Sequence, residues 1–214
     1  GTTATRQAQG LAGRLFQALV GRRPAARERE CLSALVIALM DHGLTASTIA
    51  ARVAASTRAS VVDCLAAAYA TMSGPLHGAA PVAAHRLIEQ VRATDAAASV
   101  GAVLRRSETL PGFGHVLYAD EDPRAAVVFE RLWRLRGTTR LRRTVEQLVE
   151  VAASRLGAFP NVDLANAAVM QAVGAPPGAG EVVFQLARTV GVVAHVLEEY
   201  AEEPLRWRGR VLDQ

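Results

Sequence analysis

The sequence predicts an all-α protein. Apolar residues recur at the helical spacing i, i+3, i+4 and i+7 through nearly every segment of the chain. No stretch of any length shows the alternation of apolar and polar residues that is typical of a half-buried strand. Hydrophobic residues make up 50% of the chain and aromatic residues only 5%, so we expect helices that pack closely through Ala, Val and Leu.

The first half of the chain predicts six helices, most of them bounded by residues that favour a helix end. The first ends at Gly21, the second at His42-Gly43 and the fourth at the Gly74-Pro75 turn. Thr45 or Ser47 can cap the third. The six predicted helices span about residues 6–20, 26–41, 45–55, 60–72, 81–91 and 96–105.

The second half predicts four more helices. Asp122-Pro123 begins the first of them, because proline is suited to the first helical turn. The stretch Ala175-Pro176-Pro177-Gly178 predicts a rigid connection between the last two. These helices span about residues 122–135, 140–156, 164–172 and 181–200.

All 24 basic residues are arginine, and the formal net charge is +4, so we expect anionic partners. One arginine-rich stretch has the composition of a nucleic-acid patch, but no zinc spacing, helix-turn-helix signature or set of stacking aromatic residues accompanies it. A solvent-exposed helix face explains it better, and we expect no nucleic-acid partner. The stretch contains Arg131, Arg134, Arg136, Arg140, Arg142 and Arg143.

Cys31 and Cys64 lie within apolar helical patterns, which predicts buried free thiols and a reducing compartment. The sequence lacks the roughly 20 uninterrupted apolar residues of a membrane span and has no signal-peptide pattern. We therefore expect a cytoplasmic protein without a membrane partner. Spacings typical of metal ligands or of nucleotide-binding glycine loops are absent as well, so we expect no metal.

Three polar segments beside predicted helices can supply acid–base chemistry. His77 and His115 stand in glycine-containing loops, Arg124 follows the Asp-Pro helix start, and Asp163 follows Asn161. Two histidines and a carboxylate form a plausible acid–base set for a small anionic ligand. Taken singly, each histidine could be a turn residue bonded to the backbone, and Asp163 could cap the helix that follows it.

Together these segments resemble the citrate synthase family. Each motif alone is weak, but their family order and spacing are specific, and the resemblance covers about residues 26–214. The segments that carry it are Asp41-His42-Gly43-Leu44, Ala46-Ser47-Thr48, Gly74-Pro75-Leu76-His77-Gly78-Ala79, Gly112-Phe113-Gly114-His115, Asp122-Pro123-Arg124-Ala125, Asn161-Val162-Asp163 and Phe184 through His195.

The resemblance implies a Claisen condensation of acetyl-CoA with oxaloacetate. In that reaction Asp163 is the base that deprotonates the methyl group, and His77 donates to the thioester oxygen. His115 polarises the keto carbonyl of oxaloacetate and protonates the developing alkoxide. A coenzyme A thioester is then the substrate, and no cofactor is bound permanently.

The resemblance also implies the binding residues. His42, Arg124 and Arg188 contact oxaloacetate, and Arg206 stands where the family supplies an arginine across a homodimer interface. A loop wraps the adenine of coenzyme A with its backbone groups. The loop residues are Leu110, Pro111, Gly112, Phe113 and Gly114.

The architecture implied by the resemblance is a large helical domain with a small helical domain inserted in it. We expect the first part of the large domain at 1–83, the small domain at 84–174 and the return segment at 175–214. In the family, a cleft between the domains closes over the substrate and excludes water, which protects a reactive enolate.

Several departures from the family pattern leave alternatives open. Little of the family's long N-terminal part of the large domain is present. This pattern is expected for a minimal member of the family, for a fragment of a longer member, or for one subunit of an enzyme that a second polypeptide completes. Val116 and Ala119 stand where basic residues are frequent, and Trp207 replaces a common proline. The alternatives are 2-methylcitrate synthesis, citryl-CoA cleavage, and a non-catalytic module that binds a CoA ester or a dicarboxylate.

Overall fold

The computed structural model describes residues 10–106 and 109–208. Within these ranges the chain forms ten α-helices and no strand, which confirms the all-α prediction. The helices are α1 (Gly10–Val20), α2 (Ala26–Leu39), α3 (Ala46–Ser56), α4 (Val61–Met72), α5 (Ala80–Ala93), α6 (Ala96–Leu104), α7 (Pro123–Leu132), α8 (Thr139–Leu156), α9 (Val162–Val173) and α10 (Ala179–Tyr200).

The largest difference from the predicted helix ends concerns α7, which ends at Leu132 rather than near residue 135. The backbone N–H groups of Arg134 and Leu135 bond to carbonyls only three residues back, at 3.3 and 3.0 Å. This tighter spacing closes the last turn of the helix. The predicted start of the first helix, residues 6–9, lies outside the described residues.

The chain divides into two compact units. The first unit contains the described residues up to Ala38 together with Ala79–Val183. The second contains Leu39–Gly78 and the described residues from Phe184 onward. The predicted domain boundaries at residues 83/84 and 174/175 follow the family's large and small domains, and they stay a prediction.

Helix α9 forms the core of the first unit. Nine of its twelve residues are buried, and it packs against α5, α7 and α8. Asn161 caps its start with the side chain, and Gly174 ends it with a positive φ of 73°. The helix whose first turn contains the candidate base Asp163 is therefore held on several sides.

The second unit packs α3 against α4, with Ala51, Ala55 and Ala68 fully buried. These small side chains allow close approach of the two helices, as the alanine-rich composition predicts. Cys64 is also buried there, and Cys31 is buried in the first unit. Both are free thiols, which confirms that prediction.

Helix α10 is long and apolar enough, by length and composition alone, to cross a membrane. Its most apolar window is 44% buried, and the helix carries the buried charged residues Arg188 and Glu199. Buried charges that are hydrogen-bonded inside a unit favour a core helix of the folded protein.

Candidate active site

In the first unit, the loop from Leu110 to Gly114 is held by backbone hydrogen bonds to the segment before α9. The N–H of Asn161 donates to Gly112 O at 2.9 Å, and the N–H of Gly114 donates to Phe159 O at 2.8 Å. The Asn161 side chain adds a bond from Nδ2 to Gly114 O at 2.9 Å. The loop before His115 is thus fastened to the start of the helix that carries Asp163.

Gly112 is required by both conformation and space. Its φ is +84°, and a Cβ at this position would lie 2.9 Å from Leu164 Cβ and 3.2 Å from Ala84 Cβ. Only glycine adopts this backbone conformation without strain and also leaves room for α9 and α5. The close approach of the loop to the core of the first unit therefore depends on this one residue.

Asp163 lies in the first turn of α9 and is half-buried. The helix cap is Asn161, whose Oδ1 accepts from the backbone N–H groups of Asp163 at 3.0 Å and Leu164 at 3.4 Å. The interpretation of Asp163 as the capping residue is therefore wrong, because Asn161 already satisfies these N–H groups. Helix capping therefore does not account for an aspartate at position 163.

Arg124 is fixed by a buried carboxylate that the sequence analysis did not single out. Asp122 accepts from Arg124 Nε and Nη2, both at 2.9 Å, and its Oδ2 also accepts from the N–H of Val162 at 2.9 Å. Asp122 therefore ties the start of α7 to the start of α9. Burial raises the pKa of Asp122, but the bonds from Arg124 and the two backbone N–H groups outweigh burial and lower it.

The hydrogen bond at His115 determines which ring nitrogen carries its proton. The N–H of Leu117 donates to His115 Nδ1 at 3.0 Å, so the proton of the neutral ring lies on Nε2. Burial lowers the pKa of His115, the positive charge of Arg124 lowers it further, and Asp122 partly opposes them. His115 is thus a neutral ring with an Nε2–H donor near neutral pH.

In the second unit, His77 contacts a residue that sequence reasoning missed. The fully buried Ser47 lies with its hydroxyl 2.8 Å from His77 Nε2. When Ser47 donates this bond, the imidazole proton lies on Nδ1, where it can be donated to a ligand. Burial lowers the pKa of His77, and the charge of Arg188 lowers it further, so the ring is neutral.

Arg188 is 1% exposed, and its side chain fastens the chain that precedes His42. Its Nε donates to Leu39 O at 2.8 Å, and Nη1 donates to Thr45 Oγ1 at 3.3 Å. The guanidinium carbon also lies 4.9 Å from the centre of the Phe184 ring. Arg188 therefore places a positive charge beside His77 and holds both ends of the His42 turn.

Arg206 is bound within its own chain. Its Nε and Nη2 each donate to the Glu199 carboxylate at 2.6 Å, and Trp207 Nε1 donates to Glu199 Oε1 at 2.8 Å. The Arg206 side chain is 36% exposed, whereas that of Glu199 is fully buried. This bidentate pair orients Arg206, and its predicted role across a dimer interface stays a prediction.

Each unit thus gathers part of the predicted site. The first holds the loop Leu110–Gly114, His115, Arg124 and Asp163, and the second holds His42, His77, Arg188 and Arg206. Ser47 and Asp122 belong to the sequence motifs, but neither residue type alone indicates its contact with His77 or Arg124. Glu199 was missed, although a buried acidic residue on an apolar helix face was a usable signal.

The loop assigned to the adenine of coenzyme A already uses some of its backbone groups. Gly112 O, Gly114 N and Gly114 O are bonded to residues 159–161. Adenine contacts in this loop therefore depend on its other backbone groups. Beyond His115, Val116 is 99% exposed and Leu117 70% exposed, so an apolar surface follows the histidine.

Known proteins are similar to this chain over most of its length. Residues 2–210 match the family model described as citrate synthase, C-terminal domain. The chain is similar to putative citrate synthase 2 of Mycobacterium tuberculosis, with 38% identity over 184 residues, which are 82% of this chain and 49% of that protein. The chain thus spans about half the length of the curated relatives it matches.

Two solved structures are similar over nearly the whole chain. Citryl-CoA lyase from Hydrogenobacter thermophilus has a TM-score of 0.85 and 30% identity, covering 97% of this chain and 84% of that one. Citrate synthase from Thermoplasma acidophilum, in a ternary complex with carboxymethyl coenzyme A and oxaloacetate, has a TM-score of 0.80 and 28% identity. That match covers 94% of this chain and 56% of the archaeal chain.

Proposed function

The chain belongs to the citrate synthase family, and from this premise we propose that it condenses acetyl-CoA with oxaloacetate and water to give citrate and free coenzyme A. The observation that carries the proposal is the fastened loop of the first unit. The same unit contains a neutral His115, the Arg124 that Asp122 orients, and Asp163 in the first turn of α9. The ligands in the archaeal citrate synthase structure support the choice of substrates.

The first step is removal of a proton from the acetyl methyl group. Asp163 is the base, and it lies in the first turn of α9, near the partial positive charge of a helix N-terminus. His77 donates from Nδ1 to the thioester oxygen as the enol or enolate forms. In this assignment Ser47 donates its hydroxyl proton to His77 Nε2, and the two atoms lie 2.8 Å apart.

The second step forms the carbon–carbon bond. The nucleophilic carbon attacks the keto carbon of oxaloacetate, and the keto oxygen takes a proton from His115 Nε2 as it becomes the citryl hydroxyl. The proton that Asp163 removed from the methyl group then restores His115. Arg124, Arg188 and Arg206 hold the substrate carboxylates, and His42 contacts the same substrate. Water then cleaves the citryl thioester and releases coenzyme A.

Citryl-CoA cleavage is the second candidate. It is the reverse of the carbon–carbon bond formation, so the same residues serve it: the citryl hydroxyl proton leaves by way of His115 and passes to Asp163, which delivers it to the acetyl carbon. The observation that favours it is the match to citryl-CoA lyase, with a TM-score of 0.85 and 30% identity. The two activities need different assays.

We further propose that the protein acts as a homodimer in the cytoplasm. Within the second unit, α10 exposes Leu186, Val190 and Leu197, which are 42%, 49% and 58% accessible and lie on one helical face. We propose that a second copy of the chain covers this face, which also agrees with the predicted role of Arg206 across a homodimer interface. Replacement of Leu186 and Val190 by Glu is expected to give a monomer in light scattering, and a wild-type monomer would contradict the proposal.

Release of coenzyme A thiol from acetyl-CoA, with and without oxaloacetate, tests the proposed function. Oxaloacetate-dependent release supports the synthase, and the same assay with propionyl-CoA tests 2-methylcitrate synthesis. Citryl-CoA is assayed separately for formation of oxaloacetate. If calorimetry detects binding of oxaloacetate and acetyl-CoA but no turnover is measured, the protein is a non-catalytic binding module.

A further inference from the structure

We propose that Asp41, His195, Arg52 and Glu199 form a positioning chain that holds the His42 turn in a fixed relation to Arg206. All of these residues belong to the second unit. The inference rests on the proposed function, in which His42 and Arg206 both contact oxaloacetate. It assigns roles to His195 and Arg52, for which the sequence analysis gave none.

One end of the positioning chain is the turn itself. The Asp41 carboxylate accepts from the backbone N–H of Gly43, at 3.2 Å, and from that of His42. Gly191 N donates to Met40 O at 3.1 Å and holds the preceding peptide against α10. The orientation of the His42 backbone therefore depends on where the Asp41 carboxylate is held.

His195 holds that carboxylate, and its partners determine its tautomer. Arg52 Nη1 lies 3.1 Å from His195 Nδ1, and because arginine can only donate, Nδ1 accepts. The proton of His195 then lies on Nε2, which is 3.2 Å from Asp41 Oδ1 and donates to it. His195 thus accepts a hydrogen bond from Arg52 and donates one to Asp41. An aliphatic side chain can form neither bond.

The other end of the positioning chain is the buried Glu199. Arg52 Nε donates to Glu199 Oε2 at 2.8 Å, and its Nη1 also donates to Glu198 Oε2 at 2.9 Å. Glu199 holds Arg206 through two bonds of 2.6 Å. The links from the Asp41 carboxylate to the Arg206 guanidinium are all 3.2 Å or shorter.

The Asp41 end can be separated from folding stability. The Asp41 side chain is 52% exposed, whereas those of Arg52 and Glu199 are 9% and 0% exposed. An exposed pair contributes little to the free energy of unfolding, so loss of the His195–Asp41 bond should alter geometry more than stability. Positioning and structural roles are therefore distinguishable at His195.

The test compares His195→Leu, which removes both hydrogen bonds, with His195→Gln, whose amide can still accept from Arg52 and donate to Asp41. For His195→Leu we expect the KM for oxaloacetate to rise about tenfold while the KM for acetyl-CoA changes by less than about twofold. In His195→Gln, the KM for oxaloacetate should return most of the way to the wild-type value. Glu203→Gln, at an exposed position after α10, is the control and should match the wild type.

Hydrogen exchange at the His42 and Gly43 amides provides a readout that needs no activity. We expect both amides to exchange faster in His195→Leu, and slower exchange to return in His195→Gln. Unchanged exchange in His195→Leu would overturn the proposal, as would equal changes in the two KM values. If the wild type does not bind oxaloacetate, the proposed function fails by itself, and the exchange data alone decide whether the positioning chain holds the turn.

Discussion

The two units hold their candidate residues by different means. In the first, the loop before His115 is fastened mainly by backbone groups and by a glycine that no other residue can replace without strain. In the second, the His42 turn and Arg206 are held by charged and polar side chains that meet at the buried Glu199. The comparison teaches that the loop before His115 is sensitive to local backbone shape, whereas the His42 turn and Arg206 are sensitive to single changes of charge.

The largest expected effect tests whether the chemistry depends on the first unit. Asp163→Asn keeps the shape of the side chain but removes the base, so turnover should fall by about a thousandfold while oxaloacetate binding is retained. Steady-state kinetics and calorimetry measure the two quantities. Asp95→Asn, which keeps a good helix cap on α6, should leave turnover unchanged. Retained turnover in Asp163→Asn would refute the assignment.

The second effect concerns the charged network of the second unit. Glu199→Ala removes the shared acceptor of Arg52, Arg206 and Trp207, and loss of one partner from a buried pair should lower the free energy of unfolding by about 3 kcal/mol. Urea unfolding measures it. Glu198→Ala removes a neighbouring carboxylate that is 63% exposed, and it should cost less than about 1 kcal/mol. Equal costs at the two positions would contradict the network.

The third effect returns to the backbone of the first unit. Gly112→Ala combines a φ of +84° with a contact of 2.9 Å to Leu164, and we expect a loss of about 2–3 kcal/mol. Gly137→Ala is the matched control, because its φ is +78° but nothing lies within 4 Å of the added Cβ. It should cost only about 1 kcal/mol. A smaller loss at Gly112 than at Gly137 would show that the space argument is wrong.

The smallest effect is a difference in acid sensitivity. The folded pKa values of His77 and His115 are lowered, chiefly by burial, so their stabilising contribution is present above the unfolded value of about 6.5 and is lost as pH falls. Stability should therefore decrease on acidification. His77→Gln should reduce this slope more than His115→Asn, because Asp122 partly offsets the shift at His115. Urea unfolding at about pH 7.5 and pH 5.5 measures the slopes, and an unchanged slope in His77→Gln would contradict the cause given.

The sequence was sufficient for the fold class and for each helix, because helical periodicity and end residues such as Asp122-Pro123 are local signals. The end of α7 was less predictable, since the three-residue bonds after Leu132 depend on backbone geometry rather than on residue type. Among the site residues, motif order indicated His77, His115 and Asp163. It did not indicate Ser47 as the partner of His77, because two side chains 30 positions apart meet only after folding.

Burial of both cysteines has a practical consequence for the proposed assay. Cys31 is fully buried, and burial raises its pKa to about 12, while Cys64 is fully buried as well. A thiolate is the species that reacts with disulfide reagents, so the native protein should contribute almost no signal of its own. In the proposed assay, coloured product should therefore report released coenzyme A alone, and a slow rise without substrate should report unfolding of the protein.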